Sequence, residues 1–346
     1  MAEIQTTIAP HTQAPYVQRT YPATADLDAA IACAAQAQKP WAQVPLESRI
    51  QIGRRFIEEF KKLGEDVATE LTAQMGRPIT QSPGEIRGLV ERATYMLDIA
   101  PQALADVSLT DTDKPGFRRF IRRVPIGVVL IVAPWNFPYL TAINALLPAL
   151  LAGNTVLLKP SPQTPLTAER LADAFTAAGL PENVLTVLHL TPELTKRAVQ
   201  DPRVQFVSFT GSVQGGRAVE QAAVAAQGFK GVALELGGKD PAYVREDADL
   251  EYTVGELVDG AFFNSGQSCC SIERIYVHEK VYDEFVKRFV EITKTYRLGD
   301  PTDPNTNLGP VVSVASAERV RRQVTDAVEK GAQVLIEEEL FVAAKP

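Results

Sequence analysis

Two stretches of this chain hold residues that could act as a nucleophile and a base. Phe262-Phe263-Asn264-Ser265-Gly266-Gln267-Ser268-Cys269-Cys270-Ser271 carries two of the chain's three cysteines side by side. Adjacent cysteines rarely pair with each other, because disulfide geometry does not suit neighbouring residues. Two readings of the pair stand: small buried hydrophobes, as free cysteines often are, or a thiol set out for attack. Gly266 and Gln267 just ahead suggest a backbone turn with a polar side chain, not a core strand. The second stretch, Leu234-Glu235-Leu236-Gly237-Gly238-Lys239, places a carboxylate 34 positions before Cys269. Glu235 sits between two leucines, and the glycine pair behind it lets backbones approach closely. A thiol and a carboxylate in apolar settings are the makings of a nucleophile and its general base.

Such groups need a scaffold. From Gly127 short aliphatic runs recur at residues 128–133, 155–158, 184–188, 204–207 and 232–236, with helical stretches between them. Thr164-Pro165 opens one of those helices and Gly179-Leu180-Pro181 closes it. This alternation predicts a parallel sheet covered on both faces. In such sheets ligands bind at the carboxyl ends of the strands. Asn136, Lys159 and Thr210-Gly211-Ser212 all fall at those ends. Gly211-Ser212-Val213-Gln214-Gly215-Gly216 follows a strand and opens a helix, so its backbone N–H groups could meet a phosphate. The plainer alternative is an ordinary strand-to-helix loop, since Gly-x-Gly-x-x-Gly is absent.

Ahead of the sheet, residues 1 to about 23 read as an extended arm. Thr24 and Asp26 can cap a helix from Leu27 to about Gln38, with Leu27, Ile31 and Ala34 on one face. A second helix runs from Ser48, with Ile52, Phe56, Ile57, Phe60 and Leu63 at helical spacing and Gly64 at its end. A third runs from about Asp66 to Met75, and residues 85–107 are helical in pattern. Residues 108–124 interleave Phe117, Phe120, Ile121 and Val124 with arginines after a turn at Asp113-Lys114-Pro115-Gly116, which predicts an exposed hairpin. Past Lys239, a strand at 274–277 and a helix at 282–296 follow the thiols.

Taken together, these stretches resemble the aldehyde dehydrogenase superfamily, from about Tyr21 to about Gly331. The residues that carry the likeness are Phe262, Gly266, Gln267 and Cys269, the Glu235 stretch, Pro134-Trp135-Asn136-Phe137-Pro138, Gly153-Asn154-Thr155 through Lys159-Pro160-Ser161, and Phe209-Thr210-Gly211-Ser212. The resemblance implies an α/β fold: a Rossmann-like NAD(P)-binding domain over 1–237 and an α/β catalytic domain over 238–346. It implies that 108–124 helps join subunits into a homo-oligomer, a dimer or tetramer. By the same resemblance Cys269 attacks an aldehyde carbon. Asn136 and the backbone N–H of Cys269 receive the oxyanion, hydride passes to the nicotinamide, and Glu235 activates water against the thioester. Pro134, Trp135, Lys159, Ser161, Gly211, Ser212, Gly216, Leu236 and Gly237 would contact NAD or NADP. Cys270 would be a neighbour packed nearby. The scheme needs no metal and no histidine, and His11, His189 and His278 lie outside every motif. Tyr139, Leu140 and Phe263 would line the aldehyde's path.

Three departures bear on function. Many members carry a glutamate three positions after the ribose-binding lysine, where this chain has Pro162, so NAD and NADP both stay open. Many carry a lysine where this chain has Ala145. Members also usually continue through a Glu-x-Phe-Gly-Pro stretch, which Glu338-Glu339-Leu340-Phe341-Val342 does not match. The expectation is therefore a catalytic domain cut short at Pro346 and a weak catalyst. Two further readings stand beside the dehydrogenase: a CoA-acylating or thioesterase activity on the same thiol, and a paralogue that only binds cofactor or a full-length partner.

Composition narrows the classes further. At 346 residues the chain suggests two domains or one large one. Its net charge of −7 argues against a nucleic-acid surface. Three cysteines make no disulfide framework, which predicts a reducing, cytoplasmic setting. The apolar run at 128–133 is far too short to span a membrane, and residues 1–15 lack the apolar core of a secretory signal.

Overall fold

The computed structural model describes residues 3–109 and 116–341. The turn expected at Asp113-Lys114-Pro115 therefore lies outside the described residues.

The expected N-terminal arm is a two-stranded hairpin, β1 (Ile4–Ile8) and β2 (Pro15–Thr20). Its inward residues in β1 are Gln5 and Thr7, both buried. Polar residues on the inner face hide the period-two pattern that would announce a strand. Four helices follow: α1 (Thr24–Gln43), α2 (Leu46–Lys62), α3 (Gly64–Met75) and α4 (Pro83–Ala103). Ala23, not Thr24, caps α1, and the Asp26 carboxylate accepts the Ala23 N–H at 3.0 Å. This helix continues past Gln38 and through Pro40. Its extra turn buries Trp41, whose indole N–H donates to the Leu150 carbonyl at 3.1 Å. Helix α4 stops short of residue 107, where β3 (Val107–Ser108) pairs antiparallel with β4 (Phe120–Ile121). This is the hairpin expected between 108 and 124, and Phe117, Phe120, Ile121 and Val124 are exposed on it.

The alternating region forms as predicted. β5 (Val128–Val132), α5 (Pro138–Leu151), β6 (Thr155–Lys159), α6 (Pro165–Ala177), β7 (Leu185–Val187), α7 (Pro192–Gln200), β8 (Val204–Gly211), α8 (Val213–Val224) and β9 (Gly231–Leu236) succeed one another. Sheet order is β7-β6-β5-β8-β9, with β5 parallel to β6 and β8, and β6 parallel to β7. All five residues of β5 are buried, as a central strand covered on both faces requires. The order reverses between β5 and β8, the kind of switch point where such sheets take ligands. Beyond the sheet come β10 (Asp240–Val244), α9 (Leu250–Phe262), β11 (Ile272–Val277), α10 (Tyr282–Thr293) and α11 (Val314–Glu329). β10 and β11 form a parallel pair.

Two compact units divide these elements. The first comprises residues 1–5, 19–64 and 85–235; the second comprises 6–18, 65–84 and 236–346. In the first, Phe56 stacks on Phe175 with ring centroids 3.8 Å apart, and Phe60 meets Tyr139 at 5.4 Å. Burial of one such ring stabilises by roughly 1.5–3 kcal/mol. In the second, Val244, Val254, Val258 and Phe285 form a core, with Phe262, Phe289 and Tyr296 packed against it. Among the described residues no helix is long and apolar enough to cross a membrane.

Candidate active site

In the first unit, strand register lines up one edge. Val132 at the end of β5 faces Lys159 on β6 and Phe209 on β8. The chain therefore leaves three adjacent strands on the same row, and Asn136, Lys159 and residues 210–212 come out at one edge. The Ala133 N–H donates to the Lys159 carbonyl at 3.0 Å and extends the pairing by a residue. Pro134 is buried, and Trp135 and Asn136 are half-buried. The Asn136 Oδ1 accepts the Phe137 N–H at 3.0 Å, so the carboxamide's acceptor end is held by its own loop. Its other end carries the N–H donors. Proline at the first position of α5 suits the sharp start of that helix. Glu85 of α4, 2% exposed, supports it: one carboxylate oxygen accepts the N–H groups of Tyr139 and Leu140 at 3.0 and 3.1 Å. These amides have no partner inside a helix, and an anion there is favoured by the helix dipole.

Lys159 ends β6 with its ammonium largely buried, and that desolvation pulls its pKa down to about 8. Ser161 and Pro162 lie in the following turn, where the Ser161 hydroxyl accepts the Gln163 N–H at 3.2 Å. Pro162 is exposed, and its carbonyl accepts Nε2 of Gln5 at 2.8 Å. Ser212 caps α8 and accepts the Gly215 N–H at 3.1 Å. Packing demands the glycines here. A Cβ on Gly211 or Gly215 would lie 2.8 or 2.7 Å from the Phe209 ring. The loop thus presents bare backbone and a helix N-terminus, which suits a phosphate. Gly216 is buried in the first turn of α8. Together, the buried amine and the glycine loop fit a dinucleotide.

Glu235 sits next to last in β9 and is exposed, as are Gly237 and Gly238, while Leu236 is half-buried. The apolar setting inferred for its carboxylate is not found, because β9 is the outermost strand and the alternation along it turns Glu235 outward. Tyr139 is fully buried beside Phe60 and packs as core; Leu140 is half-buried and Phe263 exposed. His189 bonds Glu169 at 2.9 Å, away from every motif.

Cys269 belongs to the second unit. Both it and Cys270 are exposed, which excludes the reading as buried hydrophobes and corrects the view of Cys270 as a packed neighbour. They follow a turn in which Asn264 and Ser265 have φ of 53° and 58° and Gly266 has φ of 72°. Left-handed backbone costs a non-glycine residue roughly 1–2 kcal/mol, so other bonds must hold it. Asn264 is 1% exposed; its Nδ2 donates to the Gln267 carbonyl, and its own carbonyl accepts Nε2 of Gln267 at 3.0 Å. The Ser265 hydroxyl donates to the Gly309 carbonyl at 2.7 Å, and Oε1 of Gln267 accepts the Val312 N–H at 2.8 Å. Partial burial, followed by the neighbouring Cys270, holds the Cys269 thiol above its ordinary pKa.

The pattern that defines the aldehyde dehydrogenase family matches residues 2–345. The chain belongs to this family. A D-glyceraldehyde dehydrogenase (NADP(+)) of Picrophilus torridus is 34% identical over 92% of the chain, and a succinate-semialdehyde dehydrogenase [NADP(+)] of Mycobacterium avium 37% identical over 89%. The chain spans 64% and 65% of these two relatives' lengths. A solved 3,6-anhydro-L-galactose dehydrogenase superposes with a TM-score of 0.91 at 31% identity, covering 96% of this chain and 69% of that one. An NAD-dependent benzaldehyde dehydrogenase of Corynebacterium glutamicum does so at 0.91 and 32%, covering 97% and 73%. The α/β aldehyde dehydrogenase fold expected from the motifs is thus the fold observed.

Two residues of the described structure had no signal in the sequence. Glu85 holds the Asn136 loop from a helix read as plain scaffold. Arg77, between α3 and α4, reaches the turn before Cys269. Each is a charged side chain made important by burial, which a single sequence does not display.

Proposed function

We propose that this protein oxidises an aldehyde to a carboxylic acid with NAD(P)+, using Cys269 as nucleophile. The reading rests on the exposed thiol three residues beyond a left-handed turn, in a chain whose sheet edge suits a dinucleotide. Cys269 gives its proton to solvent water, the thiolate Sγ forms a bond to the aldehyde carbon, and the electron pair of the carbonyl π bond moves to the oxygen, which becomes an oxyanion. The Asn136 carboxamide and the Cys269 backbone N–H donate to that oxygen. NAD(P)+, when bound, supplies the hydride acceptor. Lys159, Ser161 and the 211–216 loop would hold it, with Pro134, Trp135, Leu236 and Gly237 beside it. Glu235, exposed to water, takes a proton from the water that hydrolyses the resulting thioester. That carboxylate favours hydrolysis over acyl transfer to CoA.

Relatives named for NADP(+) and for NAD agree with Pro162, whose side chain neither bonds a 2′-hydroxyl nor repels a 2′-phosphate. The exposed apolar residues of the β3–β4 hairpin support a role in joining subunits, and three exposed free thiols suit a reducing compartment such as the cytoplasm. The deciding experiment mixes the protein with an aldehyde panel and NAD+ or NADP+ and follows nicotinamide absorbance. Cys269→Ala abolishes turnover and Cys270→Ala retains most of it. The reverse pattern overturns the assignment.

A further inference from the structure

Arg77 is among the largest fully buried side chains of the chain, 2% exposed. A guanidinium out of water needs acceptors, and its Nε donates to Oδ1 of Asn264 at 3.2 Å. That acceptor is 187 positions away, on the first left-handed residue of the turn before Cys269. Asn264 works as an adapter. Its oxygen takes Arg77, its Nδ2 donates to the Gln267 carbonyl at 3.3 Å, and its backbone carbonyl accepts both the main-chain and side-chain N–H groups of Gln267. Gln267 stands two residues before Cys269.

The segment bearing Arg77 is itself pinned. Gly76 has φ of +82°, and a Cβ on Gly309 would run into the Gly76 carbonyl oxygen, so the two backbones touch. Gly309 also accepts the Ser265 hydroxyl, and Val312 donates to Gln267. Gln81 Nε2 reaches the Asn307 carbonyl at 3.0 Å, and the Ile79 N–H the Pro301 carbonyl at 2.8 Å. Three chain segments thus meet at the turn, and Arg77 brings a charged donor to it.

We propose that Arg77 is a positioning residue for Cys269. It holds Asn264 in the left-handed conformation and so aims the thiol and the N–H of Cys269. The inference rests on the reading of Cys269 as nucleophile. Arg77 does not touch the thiol; it acts through Asn264 and Gln267. A planar guanidinium with a fixed fork sets an angle as well as a distance, which a lysine ammonium does not.

The test uses the full chain with Cys33→Ser and Cys270→Ser, so that iodoacetamide reports on Cys269 alone. Arg77→Met and Arg77→Lys are compared for alkylation rate, kcat, aldehyde KM and far-UV circular dichroism. Misplacement by about 1 Å can cost about 10²-fold in rate. The expected result for Arg77→Met is a fall in kcat of about 10–100-fold with aldehyde KM little changed, together with an altered alkylation rate. Arg77→Lys recovers part of both. Asn264→Gly is the second variant, because glycine adopts the left-handed backbone without strain and loses the side-chain ties through which Arg77 acts, to Arg77 and to the Gln267 carbonyl. It reproduces the Arg77→Met effect on alkylation whether or not Arg77→Met folds. Parental alkylation and kcat in Asn264→Gly, or in a folded Arg77→Met, overturn the proposal. Cys269→Ala run alongside separates the two ideas: if it keeps turnover, the nucleophile assignment fails, while alkylation of Cys269 still reads the effect of Arg77.

Discussion

The sheet edge of the first unit and the thiol turn of the second are positioned by opposite means. At the edge, register does the placing. Val132, Lys159 and Phe209 share a row because β5, β6 and β8 pair in parallel, and whatever residues follow emerge together. At the thiol turn no strand does this. Three successive left-handed residues are held there by side chains and carbonyls from 44 to 187 positions away. An edge made by many equivalent backbone bonds degrades gradually when one residue changes. A turn held by a few specific bonds fails steeply when one is lost. Substitutions at the edge should therefore read out as graded changes in binding, except where a side chain meets the reacting atoms.

Asn136 is that exception and the largest expected effect at the edge. Its placement comes from register and from Glu85, but in the proposed mechanism its donors serve the oxyanion. Removal of one such donor typically costs about 10²–10³ in kcat. Asn136→Ala should lose that much in steady-state oxidation while its dissociation constant for NADP+ stays within about threefold of the parent's, less than about 0.7 kcal/mol. A raised aldehyde KM with kcat intact would make Asn136 a binding residue and would break the proposed division of labour.

Pro162 offers a smaller, graded test. Its carbonyl bond to Gln5 is a backbone bond and survives substitution, so Pro162→Glu changes the side chain alone. A carboxylate there can bond a ribose diol and repel a 2′-phosphate, an effect of about 1.5–3 kcal/mol. The ratio of NADP+ to NAD+ dissociation constants should rise about 10–100-fold. An unchanged ratio, measured by fluorescence titration, would remove position 162 from cofactor choice.

The same contrast explains what the sequence made legible. Aliphatic runs of strand length separated by capped helices are local and periodic, so the five-stranded sheet and the strand-end places of Asn136, Lys159 and Gly211 could be read directly. The thiol stretch was legible as a motif. How it is held was not, because Arg77 and Glu85 lie in segments that look like scaffold and matter only through burial. Glu235 misled in another way. Its leucine neighbours suggested an apolar pocket, but alternation on an outer strand turns the residue between them to solvent. The first hairpin was missed because its inward residues, Gln5 and Thr7, are polar. The two units are not consecutive in the chain either. Residues 6–18 and 65–84 belong with the later half, and only long-range contacts reveal that.

The smallest effect is the pH dependence of the edge. Burial brings Lys159 down from 10.5 to about 8. In the unliganded fold the ammonium is therefore mostly charged at pH 7 and mostly neutral at pH 9. If the charged form is the one that receives the anionic cofactor, NADP+ affinity holds up to about pH 8 and then weakens, by at most about tenfold per pH unit. Lys159→Met should bind more weakly at pH 7 and show a flat profile between pH 7 and 9. Stability runs the other way. Between about 8 and 10.5 the unfolded chain keeps a proton on this lysine that the folded chain has released, so folding is favoured increasingly as pH rises through that window. Lys159→Met lacks this contribution. Urea midpoints for the parent should then gain on those of the variant from pH 8 to 10, while cofactor affinity moves in the opposite direction. Parallel movement of the two would mean that Lys159 is not the group titrating at the sheet edge. A flat parental binding profile would mean that the bound cofactor holds its charge well above pH 8.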